Sequence, residues 1–422
     1  MKKKQNILII GSGGREHAIA KKFLKSKHKP IIHTLPGSSL WRHVYKKTWM
    51  NANDLNSILD YCNSIDVDFV VVGPEEQLAN GIVDFLNKNG IKCFGPNKYC
   101  AQLEGSKSFS KILMNKCNIP TAKYLEAYSL KELEHILKTW KKFPLVIKSS
   151  NLAGGKGVLI TNSIDEALKY GKQIFEKHLY GEDNILVIEE FLEGFEYSLL
   201  TIVRDKEIYP LPVICDHKRV FNYDKGSNTG GMGIYNNPKN LTKKDIEKAI
   251  NTCVKPLVDH LSNTGNPYYG VLFTGIMKDS HGEQKVIEYN VRFGDPETEG
   301  IMELLKNDLV EVFDNYFSNK PLKLKFSKDN VLGVVLAAPG YPEQYKKDFD
   351  VSSLRKFDEK ELIIMGAKRV NDEWLANGGR IAMIIHKSKK PFRVIYKNIY
   401  DKIENSVGNE FHYRTDIGRK NF

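Results

Sequence analysis

The sequence predicts a mixed α/β and α+β architecture: an N-terminal parallel-sheet α/β domain, a central α+β region and a small C-terminal β-rich domain. Three observations lead there. At 422 residues the chain is long enough for two or three domains, taking roughly 150 residues for each. Strand and helix patterns alternate over its first quarter, as a parallel sheet with helices on both faces requires. Beyond that the strands come in hairpins, and from Val331 short strands and tight turns (Pro339-Gly340, Gly378-Gly379) take over.

The elements follow in order. Asn6 to Ile10 is an apolar run that stops at glycines ahead of a helical pattern from Glu16 to Leu24, which reads as strand, glycine turn and helix. Pro30 to Leu35 reads as a second strand, Asp54 to Ile65 as a helix, Asp68 to Val72 as a buried strand, and Leu78 to Asn87 as another helix. Ser106 opens a helix that runs to about Lys116, before Pro120. The capping boxes Ser129-x-x-Glu132 and Ser163-x-x-Glu166 place helices at about 130–140 and 164–178. Between them, strands Pro144 to Lys148 and Val158 to Thr161 flank Gly154, Gly155 and Gly157, a hairpin with a glycine-rich tip. Ile185 to Ile188 forms a third strand, and Ile276 to Phe293 a hairpin turning at Asp279-Ser-His-Gly282. The expected domains are residues 1–105, 106–328 and 329–422.

Composition narrows the function classes. Lysine and arginine number 63 and acidic residues 51, so the chain carries +12, which favours anionic partners without choosing among small phosphates, nucleic acid and bulk polyanion. The lysines are spread along the chain and no aromatic-flanked RNA motif is present, so no nucleic-acid partner is expected. The apolar run Ile7 to Ile10 after Met1-Lys-Lys-Lys4 is too short for a signal peptide. The longest apolar run, Val331 to Ala338, falls well short of the ~18 residues of a membrane span. A soluble protein with no membrane partner is expected. Six cysteines without a CxxC pair suggest reduced thiols in the cytoplasm.

Gly11-Ser-Gly13-Gly14-Arg15 lies at a strand-to-helix turn, where free N–H groups and the helix dipole suit a phosphate. A dinucleotide fingerprint would need a third glycine where Glu16 stands and an acid near His33, so a single sugar phosphate, or a purely structural turn, is expected instead. Lys148 followed by Gly154-Gly155-Lys156-Gly157 has what covering a triphosphate requires, close backbone approach and positive charge; a plain surface hairpin has the same pattern. Lys107 and Lys111 share a helix face. Along Val286 to Phe293 the odd positions Ile287, Tyr289, Val291 and Phe293 are apolar, which puts Glu288, Asn290 and Arg292 together on the other face. That face offers two oxygen donors suited to Mg²⁺ and a guanidinium for a carboxylate or a transferring phosphoryl group. Asp295 is expected to cap a helix whose first turn holds Pro296. Asp216-His-Lys-Arg219 and Asn228-Thr-Gly-Gly-Met-Gly233 form a polar connection too glycine-rich for a core, and no acid–base role is assigned to His217.

Taken together, Gly11-Ser-Gly-Gly-Arg-Glu-His17, Gly73-Pro-Glu75, Gln102-Leu-Glu-Gly-Ser-Lys107, Asp216-His-Lys-Arg219, Asn228-Thr-Gly-Gly-Met-Gly233 and Arg292-Phe-Gly-Asp-Pro-Glu-Thr298 resemble the phosphoribosylamine–glycine ligase (glycinamide ribonucleotide synthetase) family of ATP-grasp enzymes. Gly340-Tyr-Pro342, Asn377-Gly-Gly-Arg380 and Tyr413-Arg-Thr-Asp-Ile-Gly418 extend the likeness over nearly the whole chain. The resemblance implies a central ATP-grasp region with a mobile lid at about 121–190. It implies ATP-dependent joining of glycine to 5-phosphoribosylamine through glycyl phosphate, in de novo purine synthesis, by a cytoplasmic monomer. It further implies that Lys107 and Lys148 contact ATP phosphates under the hairpin carrying Gly154, Gly155, Lys156 and Gly157. Glu189, Phe191 and Leu192 would read the adenine, Glu196 would hold the ribose, and Glu288 and Asn290 would ligate Mg²⁺ or Mn²⁺. Gly11, Gly13, Gly14 and Arg15 would take the sugar phosphate, with Asp216, Asn228 and the catalytic Lys218, Arg292 and Asp295 around glycine and the ribosylamine. Ser38, Gly155 and Ser227 stand where the family usually has Asn, Ala and Pro. The same clamp would also serve an ATP-grasp ligase for a different carboxylate and amine pair.

Overall fold

The computed structural model describes residues 4–46, 50–154 and 156–422. Gly155 and its expected phosphate contact lie outside them. At the N-terminus β1 (Asn6–Gly11), β2 (Ile31–Pro36), β3 (Tyr45–Lys46), β4 (Phe69–Val72) and β5 (Cys93–Phe94) form one sheet in the order β3-β2-β1-β4-β5, and every pair is parallel. Helices α1 (Gly14–Leu24), α2 (Leu55–Ser64), α3 (Glu75–Ala79), α4 (Ile82–Lys88), α5 (Lys98–Gly105) and α6 (Lys107–Lys116) intervene or follow. Both faces of β1 are buried, Ile7 and Ile9 against Phe23 and Phe69, Leu8 and Ile10 against Val70 and Ile58, hence its unbroken apolar run. Its neighbours run onward on opposite sides, so the glycine turn after β1 stands at the switch point where such sheets bind ligands. The helix expected over Leu78 to Asn87 is two helices, α3 and α4. Gly81, with φ +86°, breaks them, and the first begins at Glu75 after Pro74.

Next comes a small module, β6 (Tyr124–Ala127), α7 (Leu130–Thr139), β7 (Leu145–Ser149), β8 (Val158–Thr161), α8 (Ile164–Phe175) and β9 (Leu186–Glu190), in sheet order β6-β9-β7-β8. Its core, including Leu133, Ile147, Ile174 and Ile188, is separate from the rest. Only half of each expected capping box is made. Ser129 and Ser163 accept the N–H of Glu132 and Glu166, whereas the two glutamates turn to the Tyr128 N–H and the Thr161 hydroxyl.

The remainder is built on one antiparallel sheet and two separate hairpins. Its strands are drawn from β10 (Phe195–Arg204), β11 (Glu207–Pro210), β12 (Ile214–Asp216), the hairpin β13 (Arg219–Phe221) and β14 (Lys225–Asn228), β15 (Gly233–Asn236), β16 (Tyr269–Lys278) and β17 (Gln284–Asn290). The C-terminal part adds β18 (Asn330–Ala337), β19 (Leu362–Ile364), the hairpin β20 (Ala367–Val370) and β21 (Glu373–Ala376), and β22 (Arg380–Ser388). The main order is β17-β16-β10-β12-β15-β18-β22-β19, with β11 beside β10, so β15–β18 pairing carries the sheet across residue 329. Helices α9 (Lys243–Ala249), α10 (Lys255–Asn263), α11 (Glu297–Leu304), α12 (Leu309–Phe317) and α13 (Phe392–Val407) cover it. The C-terminal part is thus not purely strands and turns: Ile395, Ile399 and Ile403 of α13 bury one helical face. Helix α12 reaches the N-terminal sheet, where Phe313 stacks on Phe69 at 5.2 Å.

Two buried imidazoles seat the C-terminal part. His17 Nδ1 accepts the Ile364 N–H at 2.8 Å, and His217 Nε2 accepts the Gly418 N–H at 3.2 Å. Burial pushes both pKa values down, that of His17 well below the usual range. The unfolded chain protonates them near pH ~6.5 while the folded chain resists, so they withdraw stability as pH falls below that value. Buried carboxyls such as Glu104 titrate there with the opposite sign, so the check is a difference. Between pH 7.5 and 5.5 the wild type should lose several degrees more of Tm, by calorimetry, than the His17→Gln/His217→Gln double variant.

Candidate active site

Strand β17 supplies the metal-competent face, and a bulge sets its phase. Gly275 pairs with Glu288 and Ile276 with Val286, leaving Ile287 as the extra residue. The expected alternation therefore holds only beyond it. Tyr289, Val291 and Phe293 are buried, but Val286 rather than Ile287 fills the core before the bulge. The Ile287 carbonyl accepts from Lys148 Nζ at 3.1 Å. Past the bulge, Glu288, Asn290 and Arg292 face the cleft together, with Arg292 Nη2 donating to Asn290 Oδ1 at 3.4 Å. Burial opposes the charge on Glu288, but Lys218, Lys148 and Lys107 outweigh it and lower the carboxyl pKa. An ionised carboxylate two residues from an amide oxygen is a hard-donor pair that fits a divalent cation taking its other ligands from phosphate and water.

Lysines converge on this strand from β7 and α6. Lys148, at the end of β7, and Lys111 share the Glu189 carboxylate at 3.0 and 3.2 Å, all three nearly solvent-free. Burial pushes Lys111 down to about 8. Lys107, one turn earlier, is also lowered by burial, with Glu288 opposing. Glu189, expected at the adenine, thus holds two lysines with its carboxylate. Phe191 and Leu192 follow it on an exposed edge, and Glu196 pairs with Lys218 at 2.5 Å. Gly154, at φ +55°, has open space around it, while Gly157 is wedged against Ala153. Lys156 is exposed, its carbonyl accepting the Tyr180 hydroxyl at 3.0 Å.

Arg292 is the hub between domains. Its Nη2 meets Glu104 Oε1 at 2.8 Å and its Nε meets Glu75 Oε2 at 3.3 Å. Burial opposes its charge, and the two acids raise its pKa regardless. Burial pushes Glu104 up to about 7 against the pull of Arg292. Below it, Arg15 pairs with Glu16 and donates to the Phe293 carbonyl at 3.0 Å. Glu16 Oε2 accepts the Gly13 N–H at 2.7 Å. A Cβ on Gly11 or Gly73 would fall 2.5 or 1.9 Å from the Glu16 side chain, so these glycines make room for that carboxylate. At the turn of Gly11, Gly13, Gly14 and Arg15, expected to take the sugar phosphate, the Gly13 N–H is held by Glu16 and the Arg15 N–H lies 3.4 Å from Asp295 Oδ2. Asp295 is not the helix cap. Pro296 holds that position, and Asp295 pairs with Arg380 at 2.8 Å.

The polar connection closes the other side. Lys218 sits between Glu196 and Glu288, the latter at 4.0 Å; burial opposes its charge, but the two acids raise its pKa. Burial and the neighbouring Glu297 push Asp216 well up. Asn228, at the end of β14, lies across from Arg219, and the Thr229 N–H and hydroxyl both fasten to the Lys218 carbonyl at 2.8 Å. His217 is occupied with Gly418. Ser38 donates to the Ala367 carbonyl at 2.8 Å and Ser227 to Glu343 at 2.5 Å, so both bind protein. Glu16, Glu104, Lys111, Glu297 and Arg380 were given no site role from sequence. Except for Glu16, which is held by Arg15 and Gly13, their partners lie far along the chain, as Glu104 does from Arg292, and only their places in the quoted strings or on the Lys107 face mark them.

The phosphoribosylglycinamide synthetase N domain matches residues 5–104, its ATP-grasp (A) domain residues 105–298 and its C domain residues 331–420. The chain belongs to the phosphoribosylglycinamide synthetase family. A phosphoribosylamine–glycine ligase of Lactococcus lactis is 37% identical over 421 residues, covering 98% of this chain and 99% of that protein. One of Halalkalibacterium halodurans is 35% identical over 417 residues, covering 98% and 97%. The crystal structure of the Thermotoga maritima phosphoribosylamine–glycine ligase superposes with a TM-score of 0.84 at 30% identity, covering 97% of this chain and 99% of that one. As a phosphoribosylglycinamide synthetase, the protein is an ATP-grasp ligase of small-molecule substrates that uses ATP with a divalent metal. Among the described residues, no helix is long and apolar enough to cross a membrane.

Arg292→Met would leave the buried Glu104 and the half-buried Glu75 without their cation and should cost about 3–5 kcal/mol in urea unfolding. Glu75→Gln, which keeps the Glu104 contact, should cost less than half of that.

Proposed function

We propose that the cleft between β17, α6 and the 124–190 module joins glycine to 5-phosphoribosylamine at the expense of ATP, giving glycinamide ribonucleotide, ADP and phosphate. The observation that carries this reading is the meeting of Glu288, Asn290 and Arg292 with Lys107, Lys148 and Lys218 around one cleft. A glycine carboxylate oxygen attacks the γ-phosphorus and ADP leaves, forming glycyl phosphate. The ribosylamine nitrogen then attacks the acyl carbon, phosphate leaves, and the nitrogen gives up a proton to form the amide. A carboxylate is a poor acyl donor, which is why ATP is consumed. The chain's work is alignment and charge neutralisation, with no covalent side-chain nucleophile.

In this reading Lys107 and Lys148 neutralise the triphosphate beneath the hairpin of Gly154, Lys156 and Gly157. The adenine is read by backbone groups at Glu189, Phe191 and Leu192, and Glu196 holds the ribose. Glu288 and Asn290 hold Mg²⁺ or Mn²⁺, which when bound neutralises charge on the phosphate oxygens. Arg292 and Lys218 face the reacting carboxylate and phosphoryl oxygens. Asp216, Asn228 and Asp295 border the glycine and amine side, and the phosphoribosyl group lies at the switch-point end of β1. Residues 1–105, 106–328 and 329–422 act as substrate, nucleotide and supporting regions, with about 121–190 as lid. A monomer acting in the cytoplasm fits the six free thiols, five of them buried.

ADP release should require glycine and freshly made phosphoribosylamine together, each omission abolishing turnover; release with another amino acid in place of glycine would redirect the substrate assignment. Glu288→Ala should lower kcat by at least about 1,000-fold with an unchanged circular dichroism spectrum, and unchanged turnover would refute the metal role.

A further inference from the structure

Arg380 comes from the C-terminal part, at the start of β22, yet its guanidinium is built into the cleft. Nη2 pairs with Asp295 Oδ1 at 2.8 Å, and Nη1 donates to the Asp295 carbonyl at 3.0 Å and to the Gly230 carbonyl. The Gly230 N–H in turn donates to the Tyr341 hydroxyl at 2.9 Å. A Cβ on Gly230 would lie 3.0 Å from the Arg380 Cζ, and one on Gly231 would lie 2.6 Å from Asp216 Oδ1. The loop is therefore gripped between Arg380 and Asp216, and its Thr229 hangs on the Lys218 carbonyl. None of the described contacts of Lys107, Lys111, Lys148 or Glu189 involves this clamp.

We propose that Arg380, seconded by Tyr341, is a positioning residue for the amino-acid and amine half of the reaction. It fixes the 228–233 loop and the turn at Asp295, and leaves the nucleotide grip alone. The inference rests on the functional reading above. A planar fork can serve Asp295 and Gly230 at once, whereas a lysine ammonium offers a point charge with no such geometry. Displacing groups by about 1 Å around a reacting centre costs on the order of 100-fold.

The test compares Arg380→Ala, Arg380→Lys and Tyr341→Phe for glycine and phosphoribosylamine kinetics, with affinity for a fluorescent ATP analogue measured separately in the presence of magnesium. Arg380→Ala should lower kcat/KM for glycine and the ribosylamine about 100-fold, with analogue affinity within about threefold and partial rescue by free guanidinium. Arg380→Lys should recover only part of the loss, and Tyr341→Phe should raise the same two KM values about threefold to tenfold. A merely structural role would reduce the active fraction at unchanged KM, which would overturn the proposal, as would an equal loss of analogue affinity. Should Arg380→Ala fail to fold, wild-type KM values in both conservative variants would overturn it equally. Wild-type protein that released no ADP with both substrates would instead sink the functional reading itself.

Discussion

The cation at Arg292 has to be held in a crowded, poorly solvated cleft, and much of the surrounding architecture follows from that requirement. An unpaired guanidinium there would be prohibitively costly, so carboxylates must come to it. They come from α3 and α5, elements of the N-terminal domain, while the arginine follows a strand of the central region. The pairing thus registers two domains across the proposed reaction cleft. Glu16, wedged against Gly11 and Gly73 and tied to Arg15, extends the same arrangement to the switch point of the parallel sheet.

A second balance of charge separates two tasks. On the side of the 124–190 module, Glu189 pairs with Lys111 and Lys148 in a dry setting, and on the opposite wall Lys218 is shared by Glu196 and Glu288. Such alternating charge lets a polyanion and its cation replace existing partners rather than enter a bare field, which lessens the reorganisation on binding. Lys111, pushed down to about 8, shows how closely this environment is balanced.

Local patterns in the sequence spoke for the first sheet, the glycine-tipped hairpin and the cleft face of β17, because periodicity and glycine placement are local properties. The bulge at Ile287 was invisible, since it depends on register with β16 and not on the order of residues within β17. Asp295 looked like a helix cap because its neighbours suit one. The partner it actually takes, Arg380, is distant in the chain and had no periodicity to announce it. At the Gly11–Arg15 turn, the part played by Glu16 was also hidden. The residue that ruled out a dinucleotide also fills the turn, and its carboxylate explains why glycine is needed there. Helix α13 went unseen beneath a background of short strands, although its isoleucines recur at helical spacing.

Hydrogen bonding between β15 and β18 joins the central region to the C-terminal segment. Excising that segment would strip a partner from an interior strand and bare a row of amide and carbonyl groups, the kind of edge that recruits other chains into aggregates. Fusion designs and domain swaps among related ligases should therefore cut elsewhere, treating the last ninety or so residues as part of the same woven unit and not as a detachable cap.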